Sequence, residues 1–184
     1  MKVSNKELIK ELRDITNSVI IETEKLNSMS EKALQTKANS ESWSALECIE
    51  HLNRYSMFYV PEINKVMADS TKKSSQVFRS GILGNYFAKS MQVKPKLNKM
   101  KTFKDMNPNQ SQIDKSVIDS FLKYQEQTLE ILDIAVSQNL TKLKTGITIS
   151  NLIKLRLGDT LRVVIYHNQR HIAQALKAVN NIVV

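Results

Sequence analysis

Apolar residues recur at intervals of three and four in four long stretches of the chain, the spacing that gathers side chains on one face of an α-helix. The first stretch carries Leu8, Leu12, Ile15, Val19 and Leu26. It opens on a capping box: the Ser4 hydroxyl and the Glu7 carboxylate satisfy free backbone donors while Val3 packs on Leu8, so a helix is predicted from about Asn5. A polar connector follows over residues 28 to 42, with a short turn at Glu31 to Leu34. A second box, Trp43-Ser44-Ala45-Leu46-Glu47-Cys48, sets Ser44 as N-cap of the second stretch, with Trp43 anchoring its start on Cys48. Its core stripe is Cys48, Leu52, Tyr55, Tyr59, Ile63 and Val66, and Pro61 is expected to kink the helix or restart it after Tyr59.

The third stretch is predicted to open near Ser111 to Asp114 and carries Ile113, Val117, Phe121, Tyr124, Leu132 and Ala135. The fourth begins at Leu157-Gly158-Asp159, with Asp159 as N-cap or first-turn anion, and buries Leu161, Val164, Ile165, Ile172, Ala175, Leu176 and Val179. Between the second and third stretches, residues 70 to 111 are irregular apart from a predicted crossover helix at Ser80 to Met91. Between the third and fourth, the apolar run Ile147 to Leu155 is expected to form a short helix. The reading is an all-α, up-down four-helix bundle with a long crossover between its second and third helices.

Composition agrees. With 41% hydrophobic residues in 184, the chain fits one domain over residues 1–184, and its 4 Gly and 3 Pro are too few for a turn-rich β-sandwich. Neither an apolar signal core nor a span of about 20 apolar residues is present, and the one cysteine, Cys48, cannot form an internal disulfide, so a cytoplasmic protein with no membrane association is expected. The net charge of +9 admits a nucleic-acid partner. Its densest run, Lys94, Lys96, Lys99, Lys101 and Lys104, lies in a Pro-flanked connector without a nucleic-acid-binding motif, which favours a solvated basic surface.

Chemistry concentrates in the histidines. His167 and His171 are four residues apart, one turn apart on one helical face, as two ligands of one ion must be. The remaining histidine, His51, lies at the edge of the second core stripe, and its arrival from another helix would complete a three-nitrogen site. A polar line of Thr160, His167, His171 and Gln174 beside the fourth seam suggests a wet pocket. Spacing alone leaves two readings open: metal ligands, or ordinary helix residues, one exposed and one hydrogen-bonded.

Two blocks add a resemblance. Trp43-Ser44 followed by His51-Leu52, and Leu157-Gly158-Asp159-Thr160-Leu161 followed by His167-Asn168-Gln169-Arg170-His171-Ile172-Ala173-Gln174-Ala175, resemble the opening and closing motifs of the DinB/YfiT-like superfamily. The resemblance implies a four-helix bundle, often a homodimer, with a divalent metal on His51, His167 and His171. It also implies kinship with metal-dependent hydrolases or with S-transferases that use bacillithiol, mycothiol or glutathione. Zinc, nickel, iron and cobalt all suit nitrogen ligands. If all three imidazoles are ligands, the general base is hydroxide on the ion or a carboxylate such as Glu47, which shares a face with His51. Arg170 has two readings, a group that binds an anionic part of the substrate or a surface or interface arginine, the second favoured; Gln174 is expected to support a ligand from behind, and Cys48 reads as a small buried filler. The expected function is a metal-dependent thiol S-transferase or hydrolase acting on a small electrophile. The alternatives are a non-catalytic metal-binding stress protein and a basic nucleic-acid-binding protein.

Overall fold

The computed structural model describes residues 1–94, 102–109 and 112–180. Pro95, Lys96, Lys99, Lys101 and Ser111 of the expected connector and third-helix start lie outside the described residues. The four long helices are α1 (Asn5–Asn27), α3 (Ala45–Ala68), α5 (Ser116–Ala135) and α6 (Leu157–Asn180); α2 (Glu31–Gln35) and α4 (Ile82–Met91) are short connectors. Both predicted capping boxes form. Ser4 Oγ accepts from Glu7 N at 3.2 Å, and Ser44 N donates to Glu47 Oε2 at 2.8 Å while Ser44 Oγ accepts from Glu47 N.

α1 and α3 each pack against both α5 and α6. One core cluster joins Leu8 and Leu12 to Tyr59, Ile63, Ile131, Leu132, Leu161 and Ile165; the other joins Val19 and Leu26 to Leu46, Leu52, Ile118, Phe121, Ile172 and Ala175. The first cluster therefore takes the beginnings of α1 and α6 and the ends of α3 and α5. α1 and α6 run one way, α3 and α5 the other, an up-down-down-up order. Because adjacent α3 and α5 are parallel, the chain must travel back along the bundle between them, and that is the physical reason for the long crossover.

Several expectations are corrected. The run Ile147 to Leu155 is not a helix: β3 (Lys144–Ile147) and β4 (Ser150–Arg156) form an antiparallel hairpin. Its β-branched content and the alternation of inward Ile153 and Leu155 with outward Leu152 and Lys154 follow a period of two. A second small sheet, also unpredicted, pairs β1 (Lys2–Ser4) with β2 (Val77–Arg79). α5 starts at Ser116, later than expected, because the Asp114 carboxylate accepts from Ser116 N at 2.8 Å in a turn ahead of the helix. α3 continues through Pro61 without a restart. The carbonyl deprived of its donor belongs to Met57, a residue 65% exposed and so on the solvent side of the helix.

The start of α6 is fastened across the bundle. Asp159 is in the first turn, as expected, but its buried carboxylate caps no N–H of α6. It accepts from Gly81 N at 2.8 Å and from Ser80 Oγ, and it pairs with buried Arg162 at 3.3 Å. Gly84 allows this approach, since a Cβ there would stand 2.5 Å from the Asp159 side chain. A Cβ on Gly158 would likewise stand 2.5 Å from the buried Phe78 ring. Gly158→Ala is therefore expected to destabilise the protein by about 1–3 kcal/mol through overpacking, measured as a lower urea midpoint. Gly146→Ala, whose nearest neighbour would be Glu62 Oε1 at 3.4 Å, serves as the control and should change the midpoint much less.

Candidate metal centre

The Ser44 cap fixes where α3 begins, and so places His51 in its second turn, on the side packed against antiparallel α6. His167 and His171 meet it from α6. One ring nitrogen from each of the three lies within 4.8 Å of the others, and His51 Nε2 and His167 Nε2 are 3.2 Å apart. Two nitrogens each bound to one tetrahedral ion at about 2.0–2.1 Å would stand about 3.3–3.4 Å apart, so this pair already has the required spacing. His51 Nδ1 donates to the Met106 carbonyl at 2.7 Å, which leaves Nε2 unprotonated toward the cluster, the arrangement by which ligating histidines are oriented. Among the described residues, His171 Nδ1 is buried without a hydrogen-bond partner, an arrangement that costs about 1–3 kcal/mol while it lasts. Three convergent imidazoles, one oriented from behind and one with an orphaned nitrogen, fit a metal ion.

Burial keeps all three rings neutral. It lowers the His51 pKa to about 4, with the Met106 hydrogen bond opposing and Arg54 adding to the shift. Burial lowers that of His171 to about 3, aided by His51 and Arg170 and opposed by neighbouring Gln174. His167 is pushed well below the usual histidine range by burial first, then by His171, His51 and Arg170. Neutral imidazole is the form that ligates.

The surrounding residues have definite roles. Glu47 closes the α3 capping box through Oε2 and receives Lys37 Nζ on Oε1 at 2.6 Å, and it is not one of the converging groups. Arg170 is 7% exposed, and its charge bears on both α6 histidines. Cys48 is fully buried, with its thiol pKa raised by burial and by Glu47, in keeping with a core filler. Thr160 does not join the histidines: its hydroxyl is 2.7 Å from that of Thr145 on the hairpin, so the polar line divides between the two ends of α6.

Sequence reasoning missed the walls. The Trp43 ring lies 4.7 Å from His51 and 5.8 Å from His171, and the Tyr55 ring lies 4.9 Å from His51 and 4.7 Å from His167. The i, i+4 spacing of His51 and Tyr55 was the available signal for one of them. Two open basic clefts of about 630 and 430 Å³, which share Lys72 and Lys142, are lined by no histidine.

Fold and site together define a helical bundle with a candidate three-histidine metal centre between two facing helices. The DinB superfamily model matches residues 22–175, and the chain belongs to that superfamily. Against curated proteins and against solved structures the chain finds no match. Among the described residues, no helix is long and apolar enough to cross a membrane.

The lowered histidine pKa values make the metal-free protein sensitive to acid. Between the ordinary value of 6.5 and the folded values near 4 and 3, the unfolded chain binds protons that the folded chain refuses. The histidine contribution to stability is thus complete above pH 6.5 and is lost as the pH falls toward 4. Urea midpoints of metal-free protein should drop between about pH 7.5 and about pH 5, and the drop should be smaller in His167→Leu. An equal drop in both would assign the acid sensitivity to other groups.

Proposed function

We propose that this protein is a metal-dependent enzyme that activates a low-molecular-weight thiol, or water, for attack on a small electrophile, as a thiol S-transferase or a hydrolase. The observation that carries the reading is the convergence, from two packed helices, of buried His51 and His167 and half-buried His171, all three held neutral. Such a ligand set leaves the charge of a divalent ion undiminished and one or more positions open, as catalytic sites do. When bound, zinc, nickel, iron or cobalt would supply Lewis acidity that favours the deprotonated form of a thiol or water.

The chain's own residues supply the rest. Met106 holds the His51 ring, and the Trp43 and Tyr55 rings keep water from the imidazoles. Glu47 Oε1, on exchanging Lys37, is the carboxylate oxygen assigned to take the nucleophile's proton. In the transferase reaction a sulfur–carbon bond forms as a carbon–halogen or epoxide carbon–oxygen bond breaks, with the departing halide or alkoxide keeping the bonding pair. Arg170 is assigned to an anionic group of the thiol or electrophile. Superfamily resemblance supports action as a homodimer, and the single buried cysteine is in keeping with a reducing cytoplasm.

Elemental analysis of tag-free protein tests the centre: about one divalent ion per chain is expected, and its loss in His51→Ala and His171→Ala. In cobalt-substituted protein, an added thiol should perturb the visible spectrum, and an epoxide or alkyl halide should then be consumed. Consumption without thiol indicates the hydrolase. Metal retained with no spectral response and no turnover would overturn the enzymatic reading in favour of a non-catalytic metal-binding protein.

A further inference from the structure

Three consecutive carbonyls of the crossover, those of Asp105, Met106 and Asn107, are held by side chains of α3. His51 Nδ1 donates to Met106 O at 2.7 Å. Arg54 Nη1 donates to Asn107 O at 2.7 Å and, more weakly, to Asp105 O at 3.4 Å. His51 and Arg54 are three residues apart and so share a face of the helix. Arg54 Nε is in turn fixed by Glu50 Oε1 at 2.9 Å, one turn back along α3. The turn they grip is closed on itself by Met106 N to Phe103 O at 3.0 Å and by Asn107 N to Lys104 O at 3.1 Å. The carbonyl that orients the His51 ring is thus flanked on both sides by carbonyls in the grip of Arg54.

We infer that Arg54 is a positioning residue for the metal centre: by holding the Asp105 and Asn107 carbonyls, it keeps the Met106 carbonyl where it turns His51 Nε2 toward His167 and His171. The inference rests on the reading that the three histidines bind an ion. It makes the 103–107 turn part of the centre, although Asp105, the turn's one acidic side chain, is not among the converging groups. Were Arg54 only the partner of Glu50 in a surface ion pair, its removal would change stability slightly and zinc affinity not at all. Because coupling between two events is reciprocal, an ion that draws His51 Nε2 inward must also steady the turn.

The test measures zinc affinity by competition with a chromogenic chelator in tag-free wild type, Arg54→Ala, Arg54→Lys and Glu50→Gln. It also follows hydrogen exchange at the Met106 and Asn107 amides with and without zinc. Arg54→Ala should weaken zinc binding about 10–100-fold, the size of effect seen when a ligand's outer partner is lost. Arg54→Lys should weaken it less, since an ammonium can still donate to one of the two carbonyls. The two amides should exchange faster in zinc-free Arg54→Ala than in zinc-free wild type, and zinc should protect them in wild type. Should Arg54→Ala fail to fold, Arg54→Lys and Glu50→Gln carry the same test with smaller shifts. Undiminished zinc affinity in the variants, with wild type binding normally, overturns the inference. So does unchanged exchange at both amides in the zinc-free variants, whether or not wild type takes up metal. Wild type that takes up no zinc, nickel, iron or cobalt instead overturns the metal reading beneath it.

Discussion

The antiparallel contact between α3 and α6 is the constraint on which the site depends. An imidazole removed from water must either stay neutral or find an anion, and among the described residues no carboxylate converges on His51, His167 and His171. The rings are therefore kept as uncharged donors, with His51 disfavouring a proton on both His167 and His171. Two rigid helices can hold them so because α3 starts at a fixed residue, Ser44, and the start of α6 is fastened at Gly158 and Asp159. A slip of one residue at either start would rotate a ring by about 100° around its helix axis and break the cluster.

The motif around Asp159 gains a physical meaning from that dependence. Leu157-Gly158-Asp159 contributes no group to the histidine cluster. Gly158 admits Phe78, and Asp159 takes hydrogen bonds from Ser80 and Gly81, so the crossover is locked onto the end of the helix that carries two of the imidazoles. Arg162 balances the buried carboxylate, and without a partner of this kind the charge would be far too costly to bury. The residues that look most like chemistry in sequence thus divide into those that face the centre and those that aim the helix from its far end.

What could be read from sequence was local. The two capping boxes are reciprocal bonds between residues three apart, so Ser4 and Ser44 announce their helices, and the i, i+4 spacing puts His167 and His171 on one face whatever surrounds them. The meeting with His51 was legible because only one other histidine exists and it borders a core stripe. Partnerships that depend on distant segments were not legible. Any residue could have supplied the carbonyl that Met106 gives to His51, and nothing in the sequence near Asp159 points to Ser80. The β1–β2 pairing joins segments more than seventy residues apart. The hairpin was misread because a short apolar run carries both periods until a partner strand selects one.

The up-down-down-up order has a consequence for biogenesis. Of the four long helices described, α6 is made after the other three, and both of its long neighbours, α1 and α3, precede it by at least a hundred and thirty or nearly ninety residues respectively. Until it emerges, α1, α3 and α5 leave an open apolar trough, so closure of this core follows synthesis of α6. His51 therefore meets His167 and His171 only after more than a hundred further residues have been made.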